Sequence, residues 1–370
     1  MEGVSAITLI SIISFFISFI LAVFLLTVKS KNPISNKLFT LFLILYAIDL
    51  SNWFHNLFIS ELTNFVIAKS LLSYLQMPVL YFYILSVCYK DFKLKPKHFL
   101  HIIPFIIGNL VLIPRFYSKN IAEKLLLIED GTIFWELIYI RFSVHLQFVI
   151  YIIIFFIILN NYKKIYQQNF SDTASKTYDW LFKFVLFTAI IHFVVIIKTI
   201  TLYFYKESSL TTVELVLSLL VLFVICWYIF NALKYPELFN PVDSKTEIII
   251  SKGSNESKEN TEDVIKLTNY MENEKPFLNN SLSIRNLAEK LNVNPRELSI
   301  LINQHLNQHF FDFVNKYRID EAMKILKNPS KMELNISEVL YEVGFNSRSS
   351  FNTAFKKHTG YTPTEFREAS

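Results

Sequence analysis

Residues 335–367 of the 370-residue chain read NISEVLYEVGFNSRSSFNTAFKKHTGYTPTEFR. Its first apolar residues recur with the spacing of one helix face: Ile336, Val339, Leu340 and Val343. Gly344 follows, a residue that tolerates the left-handed backbone with which many helices end. Ser347 is a preferred helix cap, and a second apolar stripe comes after it: Phe351, Ala354, Phe355 and His358. The stretch therefore predicts two short helices joined by a tight turn.

The same pattern occurs once more upstream. Its first stripe consists of Ile284, Leu287, Ala288 and Leu291. Asn292 takes the place of the glycine, and residues 294–297, NPRE, have the layout of a capping box with Pro at the first helical position. The second stripe lies 53 residues before its counterpart and consists of Leu298, Leu301, Ile302 and His305. Because His305 and His358 fall on apolar stripes, we expect both to pack inside the domain.

A strong helical pattern over residues 310–327 connects the two copies. Its apolar side chains are Phe313, Val314, Tyr317, Ala322, Ile325 and Leu326. Two helix-turn-helix units on a stiff connector can place their second helices in successive major grooves of DNA, about 34 Å apart. One chain would then provide the spacing that other regulators obtain by forming a dimer. The duplicated pattern favours sequence-specific binding to double-stranded DNA.

These residues resemble the AraC/XylS family of transcription regulators over about residues 262–370. The resemblance is strongest in V-G-F-N-S at 343–347, followed by F-x-x-x-F-K-K-x-x-G-x-T-P-x-x-F-R up to Arg367. Phe366 stands where the family usually has Tyr. The resemblance implies a transcription regulator in which the second helix of each motif reads bases. We therefore expect no enzymatic activity and no cofactor.

The outward faces of the two second helices supply the candidate DNA contacts. Arg can bind guanine bidentately, Asn can bind adenine, and the methyl groups of Ile or Thr can touch thymine. The resemblance assigns base contact to Arg296, Ser299, Ile300, Asn303, Arg348, Ser349, Asn352 and Thr353. Lys356 and Lys357 are expected to contact phosphates. For each polar residue the alternative is a solvated helix face. Residues 262–370 hold 14 basic and 14 acidic residues, so the acidic ones must face away from the DNA.

The preceding 239 residues have the composition of a membrane protein. The whole chain is 52% apolar and only 18% charged, with a mean hydropathy of +0.36. Its six glycines are too far apart for a phosphate-binding loop. Cys88 and Cys226 lie in apolar runs and are expected to pack there, with no disulfide or metal site. Seven stretches are long and apolar enough to cross a bilayer: residues 4–28, 38–60, 66–89, 98–114, 133–159, 180–205 and 213–233.

The basic residues of the connecting loops predict the orientation of these spans. The loops after the first, third and fifth spans carry ten Lys or Arg residues, against four in the loops after the second, fourth and sixth. Basic loops stay in the cytoplasm. We therefore expect a multi-pass protein of the cytoplasmic membrane, with its N-terminus outside and its DNA-binding domain inside.

Several predicted spans contain polar residues that hydrocarbon solvates badly. Candidates for sensing a signal are Asp49, Asn52, Asn56, Gln76, Arg141, His145 and His192. Asp49, Asn52 and Asn56 are spaced to share one helix face of the second span. A charge near the middle of a bilayer costs at least about 2.5–3.5 kcal/mol, so such groups normally face the interior of the bundle. Two interpretations stay open: a small cavity that receives a signal, or polar contacts between helices.

The sequence thus predicts an all-α protein in three parts. Residues 1–239 form a polytopic bundle of seven membrane helices, residues 240–262 a flexible linker, and residues 263–370 a soluble domain with two helix-turn-helix motifs on a linking helix. The predicted function is a membrane-bound, one-component transcription regulator controlled by a signal. The alternatives are an anchored regulator without sensing, or a transporter-like protein with a regulatory tail. Expected partners are DNA, the lipid bilayer, an unknown signal molecule or membrane partner, and a second copy of the chain.

Overall fold

The structure is a computed structural model of the chain. It describes residues 5–27, 32–58, 64–124, 135–171, 176–204, 210–234, 259–331 and 333–369. The described residues are helical apart from turns, short loops and isolated bridge residues such as the antiparallel pair Phe170 and Ser283, so the predicted all-α class is confirmed. The chain divides into two compact units. The first comprises residues 1–159 and 180–243, and the second comprises residues 160–179 and 244–370.

Among the described residues of the first part of the chain, seven stretches are long and apolar enough to cross a membrane, which confirms the predicted number. The helices that form them are α1 (Ala6–Thr27), α2 (Pro33–Leu50), α3 (Asn64–Ser70), α4 (Ser73–Cys88), α5 (Ile103–Leu112), α6 (Trp135–Asn169), α7 (Lys176–Phe204) and α8 (Leu210–Lys234). The third span joins α3 to α4, and the fourth extends α5 with a turn at each end, Pro96–Ile102 and Ile113–Tyr117.

The second span begins and ends earlier than the sequence predicts. Pro33 occupies its first turn, and the side chain of Asn32 accepts a hydrogen bond from the backbone N–H of Ser35. The helix ends at Leu50, and two short 3-10 turns follow, Ser51–Trp53 and His55–Leu57. Asn52 and Asn56 therefore lie in these turns and not in α2. Asn52 still lies beside Asp49, as the shared face predicts, because its Nδ2 donates to Oδ1 of Asp49 at 3.3 Å. The side chain of Asn56 lies outside the described part of the chain.

The fifth span continues well past its predicted end at residue 159. Helix α6 has 35 residues, which at 1.5 Å per residue is about 52 Å, longer than the roughly 30 Å of a hydrocarbon core. Its last ten residues are mostly polar and belong to the second unit.

Aromatic rings form the packed centre of the first unit. They come from α2, α4, α7 and α8: Phe39, Phe42, Tyr83, Trp180, Phe184 and Tyr228. The ring centres of Phe39 and Tyr83 lie 4.7 Å apart. Cys88 is buried at the end of α4, whereas Cys226 is exposed on α8, so the expectation that both thiols pack is wrong for Cys226.

Among its described residues, the second unit holds seven further α-helices. They are α9 (Glu259–Glu274), α10 (Ile284–Leu291), α11 (Pro295–Ile300), α12 (Phe310–Lys327), α13 (Ile336–Glu342), α14 (Arg348–Thr359) and α15 (Pro363–Glu368). Two hydrophobic cores form, one around each helix-turn-helix motif, and α12 contributes to both. Phe313 and Val314 belong to the first core, and Ala322 and Leu326 to the second. The bounds of α12 match the connector predicted from the sequence.

Helix α9 begins inside the predicted linker. Leu267 and Met271 on its inner face are buried in the first core, so this helix is part of the folded domain. The linker prediction is therefore wrong for residues 259–262, which are helical. Its remaining residues, 240–258, lie outside the described part of the chain.

Candidate functional site

The first helix-turn-helix motif consists of α10 and α11. Asn292 ends α10 in the left-handed conformation, with a φ of 56°. The side chain of Asn294 accepts a hydrogen bond of 2.8 Å from the N–H of Arg296 and so caps α11. The backbone of Val293 donates to the carbonyl oxygen of Ala288 at 3.0 Å, which closes the turn. These local signals are the ones that the sequence predicts, although the cap uses Asn294 without the expected return bond from Glu297.

The second motif consists of α13 and α14. Asn335 and Glu338 form a reciprocal capping box, with hydrogen bonds of 2.9 and 2.7 Å. Gly344 has a φ of 89°, and a Cβ atom placed there would lie 2.7 Å from the carbonyl oxygens of Phe277 and Leu278. Only glycine fits this position without a shift of the backbone. Ser347 caps α14 by accepting from the N–H of Ser350 at 3.2 Å.

Most of the predicted DNA contacts lie on the surface. The exposed ones are Arg296, Arg348, Ser349, Thr353, Lys356 and Lys357. Ile300 and Asn352 are partly buried. The Oδ1 atom of Asn352 is buried and has no hydrogen-bond partner within the described part of the chain. Helix α14 contains basic residues and no acidic ones, so its surface carries the positive charge that phosphates attract.

Ser299 and Asn303 are buried, and the prediction that they face outward is wrong. Nδ2 of Asn303 donates to the carbonyl oxygen of Ser299 at 2.8 Å, and Oδ1 of Asn303 lies 3.0 Å from Nδ1 of His309. For Asn303 the cause is a wider π-helical turn at Leu301–His305, which changes the angle between successive side chains. An extrapolation with 3.6 residues per turn therefore fails beyond Ile300. Ser299 comes before this turn and is buried on the regular helix α11.

The two stripe histidines are exposed, so the expectation that they pack is also wrong. His305 lies in the π-helical turn and shares its altered register. His358 lies in the last turn of α14, and its Nε2 is 3.0 Å from Oδ1 of Asp320 on α12. Lys357 forms a similar link, because its Nζ donates to Asp312 at 2.7 Å. A phosphate contact by Lys357 would have to compete with this ion pair.

Arg318 is a structural residue that the sequence analysis does not single out. It lies on the inner face of α12 and is completely buried. Its guanidinium donates to the carbonyl oxygens of Phe277 and Asn279 at 2.7 and 2.9 Å, and to Ser171. A charged residue at i+4 from Val314 and i−4 from Ala322, within an apolar stripe, is the sequence signal that could have revealed it.

In the first unit, four of the predicted sensing residues lie together around one cavity of about 290 Å³. They are Asp49, Gln76, His145 and His192. Asn52 does not line the cavity but donates to Asp49 at 3.3 Å. Arg141 is exposed and lies outside the cavity wall, and the side chain of Asn56 lies outside the described part of the chain.

Lys198 also lines the cavity and is held in an ion pair. Its Nζ lies 2.6 Å from Oε1 of Glu214 and 4.4 Å from the centre of the Trp53 ring. Within the described ranges, no three His, Cys, Asp or Glu side chains are placed to hold a metal ion together.

Comparison with known proteins agrees with the geometry of the second unit. A family described as "Helix-turn-helix domain" matches residues 287–369. An HTH-type transcriptional regulator in the cgkA 5' region of Pseudoalteromonas carrageenovora is 30% identical over 132 residues, which are 34% of this chain and 76% of that protein. The transcriptional regulatory protein YesN of Bacillus subtilis is 36% identical over 91 residues, 24% of each chain.

Among solved structures, the C-terminal domain of AraT, a response regulator from Geobacillus stearothermophilus, is 32% identical. The match covers 32% of this chain and 89% of that one, with a TM-score of 0.26. The chain spans about a quarter of the length of YesN. With its tandem motifs and the matched signature, the chain belongs to the AraC/XylS family of sequence-specific DNA-binding transcription regulators.

Proposed function

We propose that this chain is a membrane-bound, one-component transcription regulator, in which a signal received by the membrane helices controls DNA binding by the second unit. The observation that carries the proposal is that a single chain holds both seven candidate membrane spans and two helix-turn-helix motifs built on one continuous helix. Such a protein needs no separate partner to pass the signal to the DNA.

In this proposal α11 and α14 are the recognition helices. Arg296 and Arg348 are exposed near the start of each helix, where the residues of a recognition helix reach base edges. Ile300, Ser349 and Thr353 supply further contacts to bases, and Lys356 and Lys357 contact phosphates. Ser299 and Asn303 have no part in it, because both side chains are buried and Asn303 bonds within the domain.

Asn352 is proposed to read adenine after a small rotation. Its Oδ1 atom is buried without a hydrogen-bond partner in the described residues. Turning the amide toward a base would therefore break no hydrogen bond to that oxygen, and would relieve an unsatisfied buried polar atom. The bidentate contact of Asn with adenine uses both ends of the amide.

The proposed location is the cytoplasmic membrane, with the N-terminus outside. The excess of Lys and Arg in alternate loops supports this orientation, and an odd number of spans then places residues 259–369 in the cytoplasm, where the chromosome lies. The lipid bilayer is the partner of the first unit. Association with a second copy of the chain stays a prediction. Two helix-turn-helix motifs on one chain can bind successive grooves of DNA without such a dimer.

A stimulus can change DNA binding only if it binds two states of the membrane helices with different affinity. Helix α6 offers a route for transmission, because it is continuous from Trp135 to Asn169 and its last ten residues belong to the second unit. Movement of this helix along its axis would displace the residues that follow it.

The test of DNA reading uses the full-length protein in lipid nanodiscs and the DNA fragments that it binds in cells. Arg348→Ala and Asn352→Ala should each relax the preference at one base position, at a cost of about 1–3 kcal/mol on the preferred sequence. Lys356→Ala should weaken binding to all sequences and reduce the salt dependence. Lys324→Ala, an exposed lysine at the far end of α12, is the control. Equal behaviour of the three test variants would contradict these roles.

The test of sensing replaces residues 1–239 with an unrelated membrane anchor of the same orientation. Loss of stimulus-dependent promoter activity, with DNA binding retained, is expected. Unchanged regulation would favour the anchored regulator without sensing. Substrate uptake that survives deletion of residues 262–370 would favour the transporter-like alternative.

A further inference from the structure

We propose that the cavity of the first unit binds a small amphiphilic organic cation, whose ammonium group pairs with Asp49 and whose apolar body packs against the surrounding rings. The inference rests on the proposed sensing function and names the chemical class of its ligand.

The polar residues of the cavity lie at one end of the helical unit. Asp49 lies in the last turn of α2, whereas Gln76 lies in the first turn of α4. Lys198 is in the last third of α7, and Ser218 is in the first half of α8. Because consecutive spans run in opposite directions, the ends of α2 and α7 meet the beginnings of α4 and α8. In the proposed orientation this end faces outside, where a signal molecule arrives.

Asp49 gives the cavity its charge. Within the described ranges it takes part in no ion pair, and the hydrogen bond that it accepts from Asn52 is 3.3 Å long. Lys198 pairs with Glu214 at 2.6 Å. Lys69 attracts Asp49 from a distance but directs its hydrogen bond to Ser51, at 2.9 Å. A carboxylate is costly to bury without a partner, so a ligand cation would bind favourably and an anion would be repelled.

The two histidines add a hydrogen-bond acceptor. The hydroxyl of Thr199 donates to the carbonyl oxygen of Val195 at 2.9 Å, so its oxygen accepts from Nε2 of His145 at 3.2 Å. In a neutral His145 the Nδ1 atom then accepts from Nε2 of His192, which lies 3.2 Å away. Nδ1 of His192 is left without a proton. The hydrogen-bond network thus assigns a further acceptor to a residue of the cavity wall.

Two more polar groups of the wall have no partner. Ser14 is 1% exposed and Gln76 is 7% exposed. Oγ of Ser14 has no hydrogen-bond partner among the described residues. Nε2 of Gln76 lies beside the Asp49 carboxylate but has no partner there at normal hydrogen-bond geometry. Buried polar atoms are nearly always satisfied in native proteins, so these two atoms indicate a place for a ligand or for the water that it displaces.

Aromatic rings make up much of the remaining wall. Phe42, Tyr46, Trp53, Phe148 and Tyr228 line the cavity, and Phe148 stacks on His192 with the ring centres 3.4 Å apart. Aromatic faces attract ammonium groups, and Trp53 already holds Lys198 in this way. The volume of about 290 Å³ is near the lower limit of small-molecule pockets, about 300 Å³. A single ring or short alkyl chain with an amine fits this description.

The experiment measures binding to the full-length protein in nanodiscs by calorimetry. The probes are 2-phenylethylammonium, the neutral 2-phenylethanol and the anionic phenylacetate, which share one ring. We expect the ammonium compound to bind at least about tenfold more tightly than the alcohol, because only the cation gains the attraction of Asp49. Phenylacetate should not bind. Equal affinity of the three probes, tighter binding of the anion, or no saturable binding of any probe would overturn the proposal.

Three variants locate the site. Asp49→Asn should lower the affinity for the ammonium compound at least about tenfold and leave that for the alcohol within about twofold. Gln76→Glu should raise the affinity for the ammonium compound, a gain that misfolding cannot produce. Glu123→Gln removes an exposed carboxylate outside the cavity and should change nothing. A loss in Asp49→Asn without a gain in Gln76→Glu would contradict the assignment.

A promoter reporter separates this inference from the proposed function. Binding of the ammonium compound with no change in promoter activity would contradict the proposed sensing function. It would still support the proposed binding site. Promoter activity that responds to another stimulus, with no ammonium binding, would contradict the ligand class alone.

Discussion

Arg318 donates two parallel hydrogen bonds to Ser171, from Nη1 to the carbonyl oxygen at 2.9 Å and from Nη2 to Oγ at 3.0 Å. Both residues belong to the second unit and both are buried. Ser171 in turn donates its hydroxyl to the carbonyl oxygen of Leu282 at 2.8 Å, and Phe170 forms an antiparallel bridge with Ser283. The residues that follow α6 are therefore built into the first helix-turn-helix motif.

Arg318→Met should destabilise the second unit by about 3 kcal/mol or more. The methionine fills most of the space but leaves the carbonyl oxygens of Phe277, Asn279 and Ser171 buried without a donor. Hydrogen exchange of residues 259–331 in the full-length protein measures the effect. Arg285→Met, at an exposed position of α10, is the control, and an equal effect of both variants would show that the buried hydrogen bonds contribute little.

Gly344→Ala should be more destabilising than Gly360→Ala. Both glycines have a positive φ, 89° and 82°, so an alanine costs about 1–2 kcal/mol at either position. At Gly344 the new Cβ also meets carbonyl oxygens at 2.7 Å, whereas nothing lies within 4 Å at Gly360. Thermal unfolding of the two variants compares them directly. Similar melting temperatures would contradict this prediction. They would mean that the turn at residues 276–278 can shift away from the new Cβ without a loss of stability.

Asn303→Ala should lower stability without changing the preferred DNA sequence. The substitution removes the hydrogen bonds of Asn303 to Ser299 and His309. Loss of a partner for a buried polar group lowers the free energy of unfolding by about 1–3 kcal/mol. Selection of bound sequences from a random DNA library measures the preference, and hydrogen exchange measures the stability. A changed base preference with unchanged stability would restore Asn303 to the DNA-reading surface.

The stability of the second unit should fall in acid partly through Glu321. A hydrogen bond of 2.7 Å from Lys275 lowers the pKa of Glu321 below its ordinary value of 4.5, and Lys324 lowers this pKa further. A carboxyl group with a depressed pKa stabilises the folded state above its ordinary pKa, and this contribution is lost as the pH falls through the depressed value.

Glu321→Gln should therefore reduce stability at pH 7 and flatten its decline below about pH 4.5, the ordinary pKa of this group. Unfolding measured at several pH values for the two proteins provides the comparison. Parallel curves for the parent and the variant would contradict the link between Glu321 and acid sensitivity.

The sequence predicts the local features of the DNA-binding unit well, because neighbouring residues determine them. The caps at Asn294 and Ser347, the left-handed Asn292 and the bounds of α12 all follow from short-range patterns. The π-helical turn at Leu301–His305 breaks the regular spacing, and this explains why the burial of Asn303 and the exposure of His305 differ from the prediction. Ser299 precedes that turn and packs inward from the regular helix α11.

Contacts between distant parts of the chain could not be predicted in the same way. Arg318 and Ser171 are separated by 147 positions. The sequence around either residue does not indicate that the two are in contact. For the first unit, hydropathy predicts that Asp49, Gln76, His145 and His192 avoid lipid. It does not predict that these residues of different helices surround one cavity. Proline at the start of α2 shifts the second span toward the N-terminus, a shift that hydropathy averaged over a window does not resolve.

The most direct test of the central proposal is the side of the membrane on which the DNA-binding unit lies. Two cysteine variants, Ser5→Cys near the start of α1 and Arg285→Cys on α10, are treated with a membrane-impermeant thiol reagent. On intact cells the account predicts labelling of Ser5→Cys only, with Arg285→Cys labelled after the membrane is opened. Labelling of Arg285→Cys on intact cells would place the helix-turn-helix motifs away from the chromosome and contradict a membrane-bound regulator of transcription.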